Sequence, residues 1–127
     1  MFILGHRGAR AVEPENTLRA IRAGMTCAGY VEVDVRLTRD RVPVILHDAG
    51  LERTTNGRGS VGELGVADLK KLDAGKGEKI PTLAEVCRET GGRSGLFVEL
   101  KEPGSEEDVS AILRDSGPMD LWVVSFH

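Results

Sequence analysis

No basic run and no basic helical face stands out among the 17 basic and 20 acidic residues, whose formal balance is −3. Without such a stripe to track a phosphate backbone, nucleic acid is excluded as the expected partner. Long apolar runs are missing too. The longest, such as Met1-Phe2-Ile3-Leu4 and Leu121-Trp122-Val123-Val124, are far too short to span a bilayer, and the N-terminus lacks the charged head and apolar middle of a secretion signal. A soluble cytoplasmic protein is expected. Cysteine is scarce: Cys27 and Cys87 have no metal-like spacing, fall near the ends of predicted helices, and are expected to be plain buried thiols. Also absent are a Gly-x-x-x-x-Gly-Lys-Ser/Thr phosphate loop, a dinucleotide fingerprint and a Gly-x-Ser-x-Gly elbow. Nucleotide kinases, dehydrogenases and serine hydrolases are thereby disfavoured.

What is present is an alternation of short β-branched runs with longer amphipathic ones, the pattern of βα units on a largely parallel sheet. With 127 residues, the chain reads as a single domain, 1–127. Strands are predicted at 2–5, 30–37, 42–47, 96–100 and 121–125. Asn16 or Thr17 is expected to cap a helix with Leu18, Ile21 and Met25 on one face. A short helix is predicted over 66–72, and Thr82-Leu83-Ala84-Glu85 has the spacing of a capping box for the next, which Gly91-Gly92 ends. Ser105-Glu106-Glu107-Asp108 opens the last helix.

One connection breaks the rhythm, because residues 36–41 are too few for a helical crossover. If Asp40-Arg41 is a two-residue hairpin turn, Arg39 faces Val42 and Asp34 pairs directly with His47. A longer excursion with a parallel return strand would also keep these residues together.

The chemistry-bearing residues sit where strands run or end. Glu32, Asp34 and Glu99 are hard oxygen donors inside apolar runs, the ligand type that Mg²⁺ or Ca²⁺ prefers, and alternation puts Glu32 and Asp34 on one strand face. They could equally form a buried ion network with Arg7, Arg36 and Lys101. His6 and His47 each end an apolar strand, and a histidine pair can act as base and acid in one turnover. Arg7, beside His6, has the planar fork that clamps phosphate. Thr54-Thr55-Asn56-Gly57 reads first as a turn.

Taken in order, His6-Arg7-Gly8, Pro14-Glu15-Asn16-Thr17, Glu32-Val33-Asp34-Val35, His47-Asp48, Arg53-Thr54-Thr55-Asn56-Gly57, Ile80-Pro81-Thr82-Leu83, Glu99-Leu100-Lys101 and Ser125-Phe126 closely resemble the glycerophosphodiester phosphodiesterase family. The resemblance implies a TIM-type (β/α) barrel that uses a divalent metal to hydrolyse glycerophosphodiesters to an alcohol and glycerol phosphate. By position it implies Glu32, Asp34 and Glu99 as metal ligands, His6 and His47 as the acid/base pair, and Arg7 and Lys101 as phosphate-contacting cations. A parallel barrel also implies the longer excursion rather than the hairpin. Arg41 stands where the family usually has Gly.

The sequence stops at Phe126-His127, where the family continues through about three more βα units. The expected fold is therefore an α/β partial barrel, truncated to about five strands. A fragment, a short form that pairs with itself or another half, and a degenerate remnant all fit, and the open edges predict self-association. Two other functions remain open: a phospholipase D-like enzyme on the same barrel, and a noncatalytic half-barrel that works by binding and assembly.

Overall fold

The computed structural model describes residues 3–117 and 120–125. Five strands form one sheet: β1 (Leu4–Gly5), β2 (Tyr30–Leu37), β3 (Pro43–Ile45), β4 (Gly95–Leu100) and β5 (Leu121–Ser125). Among the described residues four α-helices connect or follow them, α1 (Leu18–Met25), α2 (Val66–Leu69), α3 (Leu83–Thr90) and α4 (Glu106–Asp115), with a short 3-10 turn at Val61–Glu63. The order β1-β2-β4-β5 is parallel throughout, and β3 pairs antiparallel with β2. The architecture is a partial (β/α) barrel whose sheet stays open. Among the described residues no helix is long and apolar enough to cross a membrane.

Period-two alternation sorts the sheet into two faces. Val31, Val33 and Val35 of β2, with Leu96, Val98 and Leu100 of β4, pack under α1, α3 and α4 against Ile21, Leu83, Val86 and Val109. Glu32, Asp34, Phe97 and Glu99 therefore face the other way, into what a closed barrel would make its interior. A second, smaller core of Val44, Leu46, Leu51, Val61, Leu69, Ala74 and Ile80 anchors the polar excursion after β3. Sequence periodicity indicated only one face of its short helix.

Helix starts follow side-chain chemistry, with differences from expectation. Thr17, not Asn16, caps α1, its hydroxyl accepting from the Ala20 amide at 3.1 Å. Thr82 caps α3 by accepting from the Glu85 amide at 3.1 Å, but the Glu85 carboxylate reaches Lys70 instead of completing a capping box. Ser105 donates to the Glu102 carbonyl and leaves α4 without a side-chain cap. Cys87 is buried as expected, whereas Cys27 is exposed just beyond α1.

The connection between β2 and β3 is a hairpin, so the parallel return implied by the family does not occur. Its register is one residue from the sequence reading: Val35 faces Ile45 and Leu37 faces Pro43. Three residues, Arg39 to Arg41, make the loop, with the Thr38 amide donating to the Val42 carbonyl at 3.1 Å. Arg41 takes the left-handed conformation, φ 60°, that a glycine would occupy without strain. Its guanidinium bonds to the Gly104 carbonyl and to Asp108, tying the loop to the start of α4.

Two sequence features fall outside the described residues: the start of the first strand at Phe2, and Phe126 with His127. Because Leu96 is fully buried at the centre of the larger core, Leu96→Ala is expected to cost roughly 2–5 kcal/mol in urea unfolding. A loss below 1 kcal/mol, on the order of a surface change, contradicts that packing.

Candidate active site

The site is built where one edge of β2 changes partners. Val35 pairs with Leu100 on one side and Ile45 on the other, so β3 shares its edge of β2 with β1, which pairs at Tyr30 and Val31. Between them, from Glu32 to Asp34, no strand of the described residues lies beside that edge. Loops fill the interval: the Gly8 amide donates to the Glu32 carbonyl at 3.2 Å, and the Asp34 amide donates to Asn16 Oδ1 at 3.3 Å. Gly8 allows the close approach, since a Cβ there would lie 2.6 Å from the Ala20 backbone.

Three carboxylates meet at this interval. Asp34 and Glu99 are register partners on neighbouring parallel strands, and Glu32 lies two residues before Asp34 on the same face. One oxygen from each falls within 4.8 Å of the others. Asp34 is wholly buried and Glu32 nearly so. Arg7 and Asn16 hold them: the Arg7 amide donates to Glu32 Oε2 at 3.0 Å, and the Asn16 amide nitrogen donates to Asp34 Oδ2 at 3.0 Å. Both holders sit in the left-handed region, with φ of 52° and 58°, which is unusual for arginine and tolerated by asparagine.

Cations approach the same cluster. Arg7 Nε lies 3.2 Å from Asp34 Oδ2 as an ion contact without an aligned hydrogen bond, and Lys101 Nζ lies 3.0 Å from Glu99 Oε1. His6 Nε2 lies 3.6 Å from Glu32 Oε2. Burial first, then Arg10 and Arg7, lower the His6 pKa. Arg36 takes no part in pairing the carboxylates; it bonds to Glu102 and donates to the His47 carbonyl at 2.9 Å.

His47 enters differently from the sequence reading. The ladder carries the Leu46 amide to the Asp34 carbonyl at 3.0 Å, so the position opposite Asp34 belongs to Leu46 and the expected Asp34–His47 pairing does not form. Instead His47 Nδ1 is 2.7 Å from Asp48 Oδ1. Arg53 and His47, in that order, hold the Asp48 carboxyl well below the usual carboxylate range. Nδ1 is therefore the donor to an ionised Asp48, and Nε2 is the ring nitrogen that Asp48 does not engage.

A divalent cation fits the cluster on the structure's own terms. Two positive side chains stand against three carboxylates, and Glu32 Oε1 and Asp34 Oδ1 are buried without hydrogen-bond partners. A self-sufficient ion network would satisfy those oxygens. All the candidate ligands are hard oxygens, suited to Mg²⁺ or Ca²⁺.

The family model for glycerophosphoryl diester phosphodiesterases matches residues 6–114, which contain every residue of this cluster. The chain belongs to that family. A glycerophosphodiester phosphodiesterase of Caldanaerobacter subterraneus is 38% identical, over 98% of this chain and 57% of its own length. Among solved structures, a glycerophosphodiester phosphodiesterase of Agrobacterium tumefaciens superposes with a TM-score of 0.93 at 38% identity, covering 100% of this chain and 58% of its own. A phosphodiesterase of Oleispira antarctica, solved with the product sn-glycerol-3-phosphate, superposes with a TM-score of 0.92 at 37% identity and covers the same shares. The chain thus spans a little over half the length of these relatives.

Two positioning residues escaped the sequence reading. Asn16 was expected only as an alternative to Thr17 as a helix cap, and Arg53 entered only within the family motif Arg53-Thr54-Thr55-Asn56-Gly57, with no role. The motif Pro14-Glu15-Asn16-Thr17 was the only signal for the first.

Without a cation, burial first and then the Asp34 charge push the Glu32 carboxyl from an ordinary 4.5 up to about 8. A carboxyl raised on folding stabilises the fold fully below its unfolded value and loses that contribution as pH rises through the folded one. Stripped of metal, the chain is therefore expected to lose melting temperature between about pH 5 and pH 8, and Glu32→Gln to flatten that decline. Added Mg²⁺ or Ca²⁺ is expected to raise the melting temperature more at the alkaline end. Identical metal-free profiles for the two chains in differential scanning fluorimetry contradict this account.

Proposed function

We propose that the chain carries the catalytic residues of a metal-dependent glycerophosphodiester phosphodiesterase, which cleaves a glycerophosphodiester to an alcohol and glycerol phosphate. One observation carries the reading: buried carboxylates with unsatisfied oxygens lie on one sheet face, with Arg7, Lys101 and His6 in contact with them. The named activities of relatives at 38% identity support the same reaction.

Each residue has a role that its surroundings suit. Glu32, Asp34 and Glu99 would hold the cation, Mg²⁺ or Ca²⁺, which when bound supplies positive charge to a nonbridging phosphate oxygen. Arg7 and Lys101 add to that field and orient the phosphate, Arg7 through its planar fork. His6 and His47 divide the proton transfers: one imidazole takes the proton of the attacking water or glycerol hydroxyl, and the other delivers one to the departing alkoxide. For His47 the transfer runs through Nε2, since Asp48 holds the other nitrogen. Asn16 and the Arg7 amide fix the carboxylates before any ligand arrives, so little reorganisation is left for the reaction.

The open sheet supports a second part of the proposal, that the chain self-associates. Trp122 and Val123 on β5 are 56% and 46% exposed, and Leu4 on β1 is 37% exposed. Apolar strand edges of this kind recruit partners.

With glycerophosphocholine and Mg²⁺ or Ca²⁺, the chain is expected to hydrolyse substrate, and His6→Ala, His47→Ala and Glu32→Ala each to lower kcat/KM by about 10²–10⁴. A folded chain with no metal-dependent hydrolysis defeats the reading. Light scattering is expected to show an oligomer; a monodisperse monomer with a cooperative melt defeats the assembly part.

A further inference from the structure

We infer that Arg53 is a positioning residue that locks the proton-transferring His47 and the phosphate-side Arg7 into one fixed arrangement. This rests on the roles proposed above for those two residues.

One guanidinium makes two forked contacts. Towards Asp48, Nε reaches Oδ2 at 2.8 Å and Nη2 reaches Oδ1 at 3.1 Å. Towards Glu15, Nη1 reaches Oε1 at 2.9 Å and Nη2 reaches Oε2 at 3.0 Å. Each carboxylate then holds one working residue. Asp48 Oδ1 takes His47 Nδ1 at 2.7 Å, and Glu15 Oε2 takes Arg7 Nη1 at 3.0 Å. The chain of contacts runs from His47 through Asp48, Arg53, Glu15 and Arg7 to Asp34. The strand ladder reaches Asp34 through the backbone of Leu46, the residue before His47, so this relay is what fixes the imidazole at the level of the side chain.

Exposed ion pairs contribute little as a rule, and the Arg53 side chain is 48% exposed. Doubly forked geometry within a network is the exception to that rule, because planarity fixes direction as well as distance. Burial works to raise the Glu15 pKa, yet the contacts with Arg53 and Arg7 outweigh it and the net shift is downward. Both acceptors are therefore charged.

The backbone under Arg53 is also held. The Leu51 amide donates to the Gly59 carbonyl at 3.0 Å and the Thr55 amide to the Leu51 carbonyl at 3.0 Å, with Leu51 itself wholly buried. Asn56 and Asp73 exchange bonds, Asn56 N to Asp73 O at 3.1 Å and Asp73 N to Asn56 Oδ1 at 2.9 Å. Leu72 lies 2.5 Å from where a Gly57 Cβ would stand, so that glycine seats the loop on the second core. The segment Arg53-Thr54-Thr55-Asn56-Gly57 is thus a rigid mount for one side chain.

Nitrogen NMR of histidine-labelled protein reads the arrangement without turnover, with His47 assigned by its loss in His47→Ala. In the unmutated chain neutral His47 is expected as the Nδ1–H tautomer. In Arg53→Ala the Nε2–H population is expected to rise at least about threefold, and Arg53→Lys, which lacks the fork, to behave like Arg53→Ala. A His47 tautomer unchanged in Arg53→Ala overturns the inference, as does full retention in Arg53→Lys. Circular dichroism controls for folding; if Arg53→Ala unfolds, Arg53→Lys decides alone. With an active chain, Arg53→Ala is expected to lower kcat about tenfold and raise KM at least about threefold, with partial rescue by millimolar guanidinium. Absence of hydrolysis by the unmutated chain counts against the proposed function, while the tautomer still decides the role of Arg53.

Discussion

Two carboxylates in the middle of an apolar strand constrain everything around them. Asp34 is fully buried and Glu32 nearly so, between valines that belong to the core. Burying a charge without partners costs several kcal/mol, on the order of the whole stability of a small domain. Ordinary strand neighbours cannot supply those partners, because a ladder satisfies backbone groups and not carboxylates. The interruption of the β2 edge answers this requirement. Where β1 stops and β3 has not begun, loop residues reach the carboxylates with an amide from Arg7 and a side chain from Asn16.

Compensation is left incomplete in a directed way. Asn16 serves the backbone amide and one oxygen of Asp34, and Arg7 serves one oxygen of Glu32. The remaining buried oxygens, Glu32 Oε1 and Asp34 Oδ1, have no hydrogen-bond partner, and burial first, then the Asp34 charge, raise the Glu32 carboxyl far above the usual range. Left-handed backbone at Arg7 adds strain of about 1–2 kcal/mol. Strain and unmet charge at one spot are what the proposed cation site accounts for and stability alone does not.

How much of this the sequence disclosed depended on the kind of signal. Tyr30–Leu37 and Leu121–Ser125 were legible to the residue because β-branched runs bounded by turn residues have few alternatives. Alternation also placed Glu32 and Asp34 on one face. Register was another matter: a three-residue loop in place of a two-residue one shifted β3 by one position and moved Leu46, not His47, opposite Asp34. A one-residue slip reverses every facing in a strand, and the loop here has positive φ at Arg41 and not at Asp40, as a three-residue loop does and a two-residue type I′ turn does not. The pairing of Arg7 with a buried carboxylate was among the expectations, but Glu15 as its second partner and Asp48 as the partner of His47 were not. Glu15 lies in the loop before α1, while Asp48 and Arg53 lie in the excursion after β3, and no periodicity relates positions that meet only through tertiary structure.

The open sheet affects the site's strength more than its shape. Asp34 is dry and Asn16 beside it is buried, so the carboxylate end is already screened from water by residues within the chain. The other side is wet: the His6 side chain is 49% exposed, and His47 and Asp48 are about one-third exposed. A unit-charge contact strengthens several-fold as the effective dielectric falls from that of water to about 20. Covering the inner face would therefore strengthen the interactions of Arg7, Lys101 and the histidines with a bound phosphate while leaving their positions as they are. Position is already set by contacts among residues 7–101, from the Arg7 amide to the Lys101 ammonium. Contacts within the chain thus fix this geometry, and a lower dielectric over the inner face would act on it electrostatically.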